Sequence, residues 1–260
     1  MSCINPLPYC QDHNPGGFPA VLLLHGLGTT SDCWQFQVPA LTGANLRVLA
    51  PDLPGFGRSP RLSQRMSIAA LAGQVAELLK SATAAPAHVV GISMGGTVAL
   101  QLAVDHPELV RRLVLVSTFA RLRPQRPTGW LAFASRLALA YVLGLPSQAN
   151  AISQRVFPKP DQQPLRDAMV AQILQSDPRA YRSAILALGR FDVRSRLAQI
   201  RRPTLIVTGS DDTTVSPANQ RELLAIPGSQ QVILPGAGHG LIADHPAEFN
   251  RVLLQFLQEV

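Results

Sequence analysis

The sequence predicts an α/β fold in which a mostly parallel sheet is covered by helices on both faces. Short apolar runs typical of buried strands alternate with segments of helical periodicity along most of the 260 residues. Parallel strands require such crossovers, whereas antiparallel hairpins do not. The chain is 47% hydrophobic and 15% charged, which is typical of a globular protein. We find no repeat of fixed period that would indicate a solenoid.

Six strands are predicted from continuous apolar runs that end at Gly, Pro or small polar residues. They cover residues 20–24, 46–50, 88–92, 113–116, 204–208 and 231–234. Helices are predicted over residues 67–82, 97–104 and 247–258, where small or apolar side chains recur at helical spacing. Strands and helices therefore follow one another in the order expected of a parallel sheet.

The alternation of strands and helices is interrupted between residues 118 and 196. This segment is rich in proline and carries helix-like stretches at 130–143, 165–174 and 181–188. We therefore predict a core made of residues 1–117 and 197–260. Residues 118–196 are predicted to be a helical lid inserted between two core strands.

The positive charge of the chain is concentrated in the predicted lid. The net charge is +7, and residues 118–196 hold eleven Arg and one Lys against four Asp. Since 21 of the 23 basic residues in the chain are Arg, one interpretation is a general preference for arginine on a solvated surface. The other is a basic face that attracts an acidic substrate or an acidic carrier protein. No stacking aromatics interleave with the Arg residues, so nucleic acid is not a predicted partner.

The start of the chain and its cysteines predict a cytoplasmic location. Residues 1–11 have no basic start and no long apolar run, so no secretory signal is predicted. The apolar stretch at 129–145 is short and contains Arg136, so no membrane span is predicted. The three cysteines lack the spacing of a metal site, and we expect unpaired thiols in a reducing compartment.

A Gly-x-Ser-x-Gly pattern, residues 91–95, lies between a predicted strand and a predicted helix. In this context the pattern is typical of a nucleophile elbow, a strained turn that exposes a serine hydroxyl. Glycine is needed at Gly91 and Gly95 because a side chain there would collide across the turn. We therefore predict Ser93 as a nucleophile.

A serine hydroxyl needs a base to take its proton. His239 lies in a glycine-rich loop directly after the last predicted strand, where it can reach the carboxyl edge of the sheet. His245 is the main alternative. A carboxylate is needed to orient the base, and Asp211 and Asp212 both follow the fifth predicted strand.

The negatively charged oxygen of a tetrahedral intermediate needs hydrogen-bond donors. Met94, directly after Ser93, supplies one backbone N–H, and Leu27, in the loop after the first predicted strand, supplies the second. His25 begins that loop, and we expect it to hold the loop through hydrogen bonds rather than to act as a second base.

Several motifs together resemble the α/β-hydrolase superfamily. They are His25-Gly26 and the stretches 51–59, 91–96, 209–212 and 238–239. The resemblance covers about residues 20–117 and 203–260, and it implies the chain order Ser, Asp, His. In this family the acid is usually the third residue after the glycine that ends the strand, which corresponds to Asp212. Haloalkane dehalogenases and epoxide hydrolases of this fold use Asp at the elbow, so Ser93 argues against both.

Within the superfamily, the sequence is similar to 3-oxoadipate enol-lactonases and to pimeloyl-carrier-protein methyl esterases. This resemblance implies hydrolysis of a carboxylic ester, lactone or thioester through an acyl-enzyme, with neither metal nor organic cofactor. A carbon–carbon bond hydrolase of aromatic degradation, a carrier-linked methyl esterase and an acyltransferase would use the same groups. A receptor without turnover is a further alternative, although it would have no need for all three side chains.

The first helix-like stretch of the predicted lid offers candidates for substrate contact. They are Trp130, Phe133, Leu137 and Tyr141. In one interpretation these side chains line an apolar acyl pocket, and in the other they only dock the lid on the core.

Overall fold

A computed structural model describes residues 6–122 and 144–259, which are built around a seven-stranded sheet of order β1-β3-β2-β4-β5-β6-β7. The strands are β1 (Cys10–His13), β2 (Ala20–Leu24), β3 (Arg47–Pro51), β4 (Ala87–Ile92), β5 (Val110–Val116), β6 (Thr204–Gly209) and β7 (Gln230–Leu234). Neighbouring strands pair in parallel, except that β1 is antiparallel to β3. The predicted α/β fold with a mostly parallel sheet is confirmed.

Helices follow the strands along the chain. Within the described residues they are α1 (Gln37–Gly43), α2 (Ile68–Ser81), α3 (Met94–Asp105), α4 (Gly144–Val156), α5 (Gln163–Leu174), α6 (Pro178–Arg190), α7 (Pro217–Arg221), α8 (Leu241–Asp244) and α9 (Pro246–Gln258). None of them is long and apolar enough to cross a membrane.

The sheet separates two apolar layers, which explains the continuous apolar runs of its strands. On one face, Leu22 and Val89 belong to a buried cluster with side chains of α2 and α3. On the other face, Leu23 and Val90 belong to a second cluster with side chains of α9, among them Phe249. Because both faces of β2 and β4 are buried, hydrophobic side chains are favoured at every position rather than at alternate ones.

All six predicted strands are present, and the differences from the prediction lie at polar or glycine-rich segments. The edge strand β1 was not predicted, because its sequence Cys-Gln-Asp-His shows no apolar alternation. Helix α3 begins at Met94, three residues earlier than predicted, although Gly95 and Gly96 disfavour a helix. The short helix α1 was also not predicted. Helix α2 agrees with the prediction to within one residue at each end, and Ser67 accepts a hydrogen bond from the backbone N–H of Ala70 at its N-terminus.

Helices α4, α5 and α6 lie between β5 and β6 in the segment predicted as an insertion. The chain leaves and rejoins the core at neighbouring points, since Arg121 pairs with Asp192 and the Val193 N–H donates to Ala120 O at 3.1 Å. The stretches predicted at 165–174 and 181–188 fall within α5 and α6. The stretch predicted at 130–143 lies outside the described residues.

Candidate active site

Ser93 joins β4 to α3 in a strained backbone conformation. Its φ of 54° and ψ of −114° lie in a region that residues with a Cβ atom rarely adopt. Such a conformation costs about 1–3 kcal/mol and persists only where the surroundings hold it. Here the Ser93 N–H donates to Val116 O at 2.9 Å, and the Thr118 hydroxyl donates to Ser93 O at 2.7 Å. The end of β5 therefore holds the turn on which Ser93 lies.

The first turn of α3 approaches the end of β2 closely. A Cβ atom added to Gly95 would lie 2.1 Å from the carbonyl oxygen of Leu24, so only glycine fits. A Cβ added to Gly26 would lie 3.7 Å from the Cβ of Ser93. The loop that carries Leu27 and the helix N-terminus that begins at Met94 are thus both close to Ser93. A helix N-terminus also favours a developing negative charge.

His25 holds this loop in shape and has no free nitrogen. The Leu53 N–H donates to His25 Nε2 at 2.8 Å, so the ring proton is on Nδ1, which donates to Gly26 O at 2.8 Å. Burial lowers the pKa of His25 to about 4, because the charged ring would lose its hydration. The expected structural role of His25 is confirmed by these contacts.

The motif at residues 51–59 anchors the same loop from the other side. The buried carboxylate of Asp52 accepts hydrogen bonds from the Ser31 N–H at 2.8 Å and from Arg58 N and Nε at 2.9 and 3.0 Å. Burial opposes ionisation of Asp52, but these donors outweigh it and hold its pKa below the usual value. Asp52 is therefore a structural carboxylate that fixes the chain after β2.

His239 and Asp212 form a buried hydrogen-bonded pair. The Nδ1 atom of His239 lies 3.0 Å from Oδ2 of Asp212, and both side chains are almost fully buried. Burial opposes ionisation of Asp212, but the His239 ring and the backbone N–H groups of Val215 and Thr214 lower its pKa. Because a carboxylate only accepts hydrogen bonds, the ring proton lies on Nδ1. The lone pair of Nε2 is then available for another proton.

The structure places the alternatives that the sequence leaves open in different surroundings. Asp211 is exposed and accepts a hydrogen bond from the Ser210 hydroxyl at 2.8 Å, whereas the buried Asp212 contacts His239. His245 lies next to α9, with Nδ1 at 3.1 Å from a carboxylate oxygen of Asp244. Among the described residues, His239 and not His245 lines the cavity that contains Ser93.

A cavity of about 120 Å³ has both Ser93 and His239 in its wall. Leu27, Thr29 and Ile92 contribute from the predicted core, and Phe119 contributes from the chain directly after β5. The side chains that the insertion contributes are mostly apolar and include Ile152, Val156, Phe157, Leu165, Met169 and Leu188. No Asp, Glu, Lys or Arg occurs among the described residues that line it. Trp130, Phe133, Leu137 and Tyr141, predicted to contact substrate, lie outside the described residues.

The inserted helices touch the loops on both sides of the cavity. The Thr30 N–H donates to Gln172 Oε1 at 3.2 Å, which ties α5 to the loop after β2. A Cβ added to Gly240 would lie 2.4 Å from the ring of Phe157, so the end of α4 packs directly against the loop of His239. Sequence reasoning missed Gln172 and Phe157, because neither is close in sequence to the residue that it contacts.

No group of three His, Cys, Asp or Glu side chains within residues 6–122 and 144–259 is arranged to hold a metal ion. The two cysteines in these ranges, Cys10 and Cys33, are free thiols. Burial raises their pKa values, to about 12 for Cys10, and so disfavours the reactive thiolate.

Residues 19–246 match a family model described as alpha/beta hydrolase fold. The chain belongs to the α/β-hydrolase family. This hydrolase is 35% identical over 264 positions to the protein named "Putative carbamate hydrolase RutD" of Variovorax paradoxus (strain S110), across 98% of this chain and 97% of that one. Among solved structures, it is similar to the enol-lactonase from Burkholderia xenovorans LB400, with a TM-score of 0.88, 28% identity and 96% coverage of both chains. The thermophilic esterase from Thermogutta terrifontis has a TM-score of 0.82 and 26% identity, with coverage of 96% of this chain and 92% of that one.

These similarities confirm the resemblance drawn from the sequence motifs. They extend through the insertion, which the motifs do not cover. The named relatives are hydrolases that differ in the carbonyl compound they are named for, so family membership establishes a hydrolase and leaves its substrate to the site itself.

Proposed function

We propose that this α/β-hydrolase cleaves a carboxylic ester or lactone through an acyl-enzyme formed on Ser93. The observation that carries the proposal is the 3.0 Å hydrogen bond between His239 Nδ1 and Asp212 Oδ2, at a cavity whose wall also contains Ser93. This bond fixes the ring so that Nε2 is the basic nitrogen. A serine hydroxyl, a neutral imidazole and an orienting carboxylate are the groups that acyl transfer to water needs.

In the proposed reaction, the hydroxyl oxygen of Ser93 attacks the carbonyl carbon while its proton moves to Nε2 of His239. The carbonyl oxygen becomes negative and accepts hydrogen bonds from the backbone N–H groups of Leu27 and Met94. Collapse of this intermediate breaks the bond to the leaving alcohol, which takes the proton back from His239. Water then repeats the sequence on the acyl-enzyme and releases the acid. Asp212 stabilises the imidazolium in both halves.

The described part of the cavity favours a neutral acyl group. Its wall is largely apolar and holds no formally charged side chain among the described residues. A free carboxylate on the acyl chain would lose its hydration there without a cationic partner. We therefore propose that residues 118–196 act as a lid that covers a short to medium uncharged acyl group. An acidic carrier protein at the arginine-rich surface of this segment stays a prediction.

The proposed function is tested with p-nitrophenyl esters of increasing acyl length and with the variant Ser93→Ala. We expect kcat to fall about 10⁴-fold or more, since the three groups act as a unit. Ser81→Ala is a matched control, because the Ser81 hydroxyl donates to Leu78 O at the end of α2 and is not part of the described cavity wall. The parental rate in Ser93→Ala would refute the assignment. Stoichiometric release without turnover by the parent would favour a receptor.

Carbamate hydrolysis is a second candidate, favoured by the 35% identity to a protein named as a carbamate hydrolase. The same three side chains can attack a carbamate carbonyl, whose carbon carries nitrogen in place of an alkyl group. The test compares kcat/KM for p-nitrophenyl acetate and for a p-nitrophenyl carbamate of matched size. Because the leaving group is the same, a higher value for the carbamate would assign the second function.

A further inference from the structure

Gln220 is a fully buried amide that contacts Asp212 and lies outside the sequence motifs. It lies on α7 and is 1% exposed. Its Nε2 atom donates to Asp212 Oδ2 at 3.1 Å and to Val215 O at 3.0 Å. Its Oε1 atom is buried and has no hydrogen-bond partner in the described part of the chain. One amide oxygen is thus left without a partner while both amide protons are used.

The orientation of this amide follows from its partners. If the oxygen and nitrogen were exchanged, the oxygen would face the carboxylate of Asp212 and the carbonyl of Val215, which are both acceptors. The Nε2 atom therefore faces Asp212.

Asp212 accepts four hydrogen bonds, and Gln220 completes the set. Oδ1 accepts from the N–H groups of Thr214 and Val215 at 2.8 and 3.0 Å, whereas Oδ2 accepts from Gln220 and from His239. Two donors on each oxygen prevent the carboxylate from rotating about its Cβ–Cγ bond. Gln220 and the imidazole of His239 therefore both donate to the same atom, Oδ2 of Asp212.

We propose that Gln220 is a positioning residue that holds the Asp212 carboxylate at His239 Nδ1 and weakens its attraction for the imidazole proton. This inference rests on the proposed function for the role of the pair, but the geometry of the pair can be measured without turnover. A carboxylate without this donor is more basic and stabilises the protonated ring more strongly. Gln220 thereby reduces the basicity of the carboxylate oxygen that His239 Nδ1 contacts.

The variant Gln220→Leu removes the donor and nearly conserves the side-chain volume. We expect kcat to fall about tenfold with KM changed less than twofold, because Gln220 does not line the described cavity wall. The acid limb of the profile of kcat/KM against pH should move to higher pH, by about half a pH unit or more. A purely structural role would lower the unfolding temperature without moving this limb.

The variant Gln220→Glu tests the same contact with an almost isosteric side chain, and it carries the test if Gln220→Leu does not fold. The protonated carboxyl can donate to Asp212, whereas the ionised one cannot and repels it. Activity should therefore fall as the pH rises through the ionisation of the introduced group, in a range where the parent is still constant. A profile that matches the parent on its alkaline side would overturn the proposal.

Gln37 offers a matched control. It is 0% exposed, donates to Ile242 O at 2.9 Å and to Asn250 Oδ1 at 3.1 Å, and also has a buried Oε1 atom without a partner in the described part of the chain. It makes no hydrogen bond to Asp212. We expect Gln37→Leu to lose thermal stability to a degree similar to Gln220→Leu and to keep the pH profile of the parent.

Proton NMR separates failure of this inference from failure of the proposed function. The His239 Nδ1 proton should give a downfield resonance, identified by its loss in His239→Gln, and this resonance should shift in Gln220→Leu but not in Gln37→Leu. The resonance needs no substrate, so it tests the inference even if the parent hydrolyses no ester. An unshifted resonance, together with an unchanged pH profile, would overturn the role of Gln220.

Discussion

Replacing Asp212 with asparagine would disrupt half of the hydrogen bonds that its side chain accepts. All four contacts of the carboxylate are donors, two on each oxygen. An amide has one oxygen and one NH₂ group, so in either orientation its NH₂ group faces two of these donors. If the NH₂ group faces the N–H groups of Thr214 and Val215, it has no acceptor there. Facing His239, it forces Nδ1 to accept and moves the ring proton to Nε2.

The expected loss of activity follows from this change of the His239 tautomer. With a proton on Nε2, His239 cannot take the proton of Ser93, and the loss in kcat for a wrong tautomer is about 10⁴-fold. KM should change little, because Asp212 is not among the described residues of the cavity wall. A donor left unsatisfied in a buried site costs about 1–3 kcal/mol of stability. The folded pKa of Asp212 is lowered, so its carboxylate stabilises the parent above the unfolded pKa and less as the pH falls through the folded pKa.

The assay measures kcat and KM with a p-nitrophenyl ester, and the free energy of unfolding in urea at neutral and acidic pH. Asp211→Asn is the matched control, because Asp211 is exposed and its side chain accepts a hydrogen bond from the Ser210 hydroxyl. The control should stay within about twofold of the parent in kcat. The reasoning is refuted if Asp212→Asn keeps more than a tenth of the parental kcat, or if Asp211→Asn loses as much.

Three further perturbations test the fold and the cavity. Gly95→Ala should cost more than about 4 kcal/mol of stability, since its Cβ would lie 2.1 Å from Leu24 O, and urea unfolding with far-UV circular dichroism would detect this loss. Burial lowers the pKa of His88 to about 4, so the free energy of unfolding decreases as the pH falls from about 6.5 towards 4. His88→Leu should remove up to about 3 kcal/mol of this decrease. The measurement is the difference in unfolding free energy between pH 7 and pH 4. Met169→Trp should narrow the cavity and lower kcat/KM at least tenfold for long relative to short acyl esters, and an unchanged chain-length profile would contradict this lining.

The elements that could be predicted from the sequence are those with a local signal. The strand β4, the elbow at Ser93 and the following helix are contiguous, and the steric need for glycine at Gly91 lies within five residues, because its Cβ would meet the carbonyl oxygen of Gly95. The buried strands of a parallel sheet are also continuous apolar runs, so β2 and β6 could be recognised without knowing their neighbours. The edge strand β1 has no such signal, because its pairing with β3 is made by backbone groups that every residue carries.

The sequence by itself determined the α/β class, the turn at Ser93 and the two loops that carry His239 and Asp212, because each depends on residues adjacent in the chain. Only the tertiary structure shows that Asp212 and not Asp211 contacts His239, that Gln220 contacts Asp212, and that α4, α5 and α6 line the described cavity together with core residues. Those choices depend on which side chain points inward and on contacts between segments far apart in sequence. Gln172 and Thr30, for example, are separated by 142 positions and are joined by a hydrogen bond of 3.2 Å.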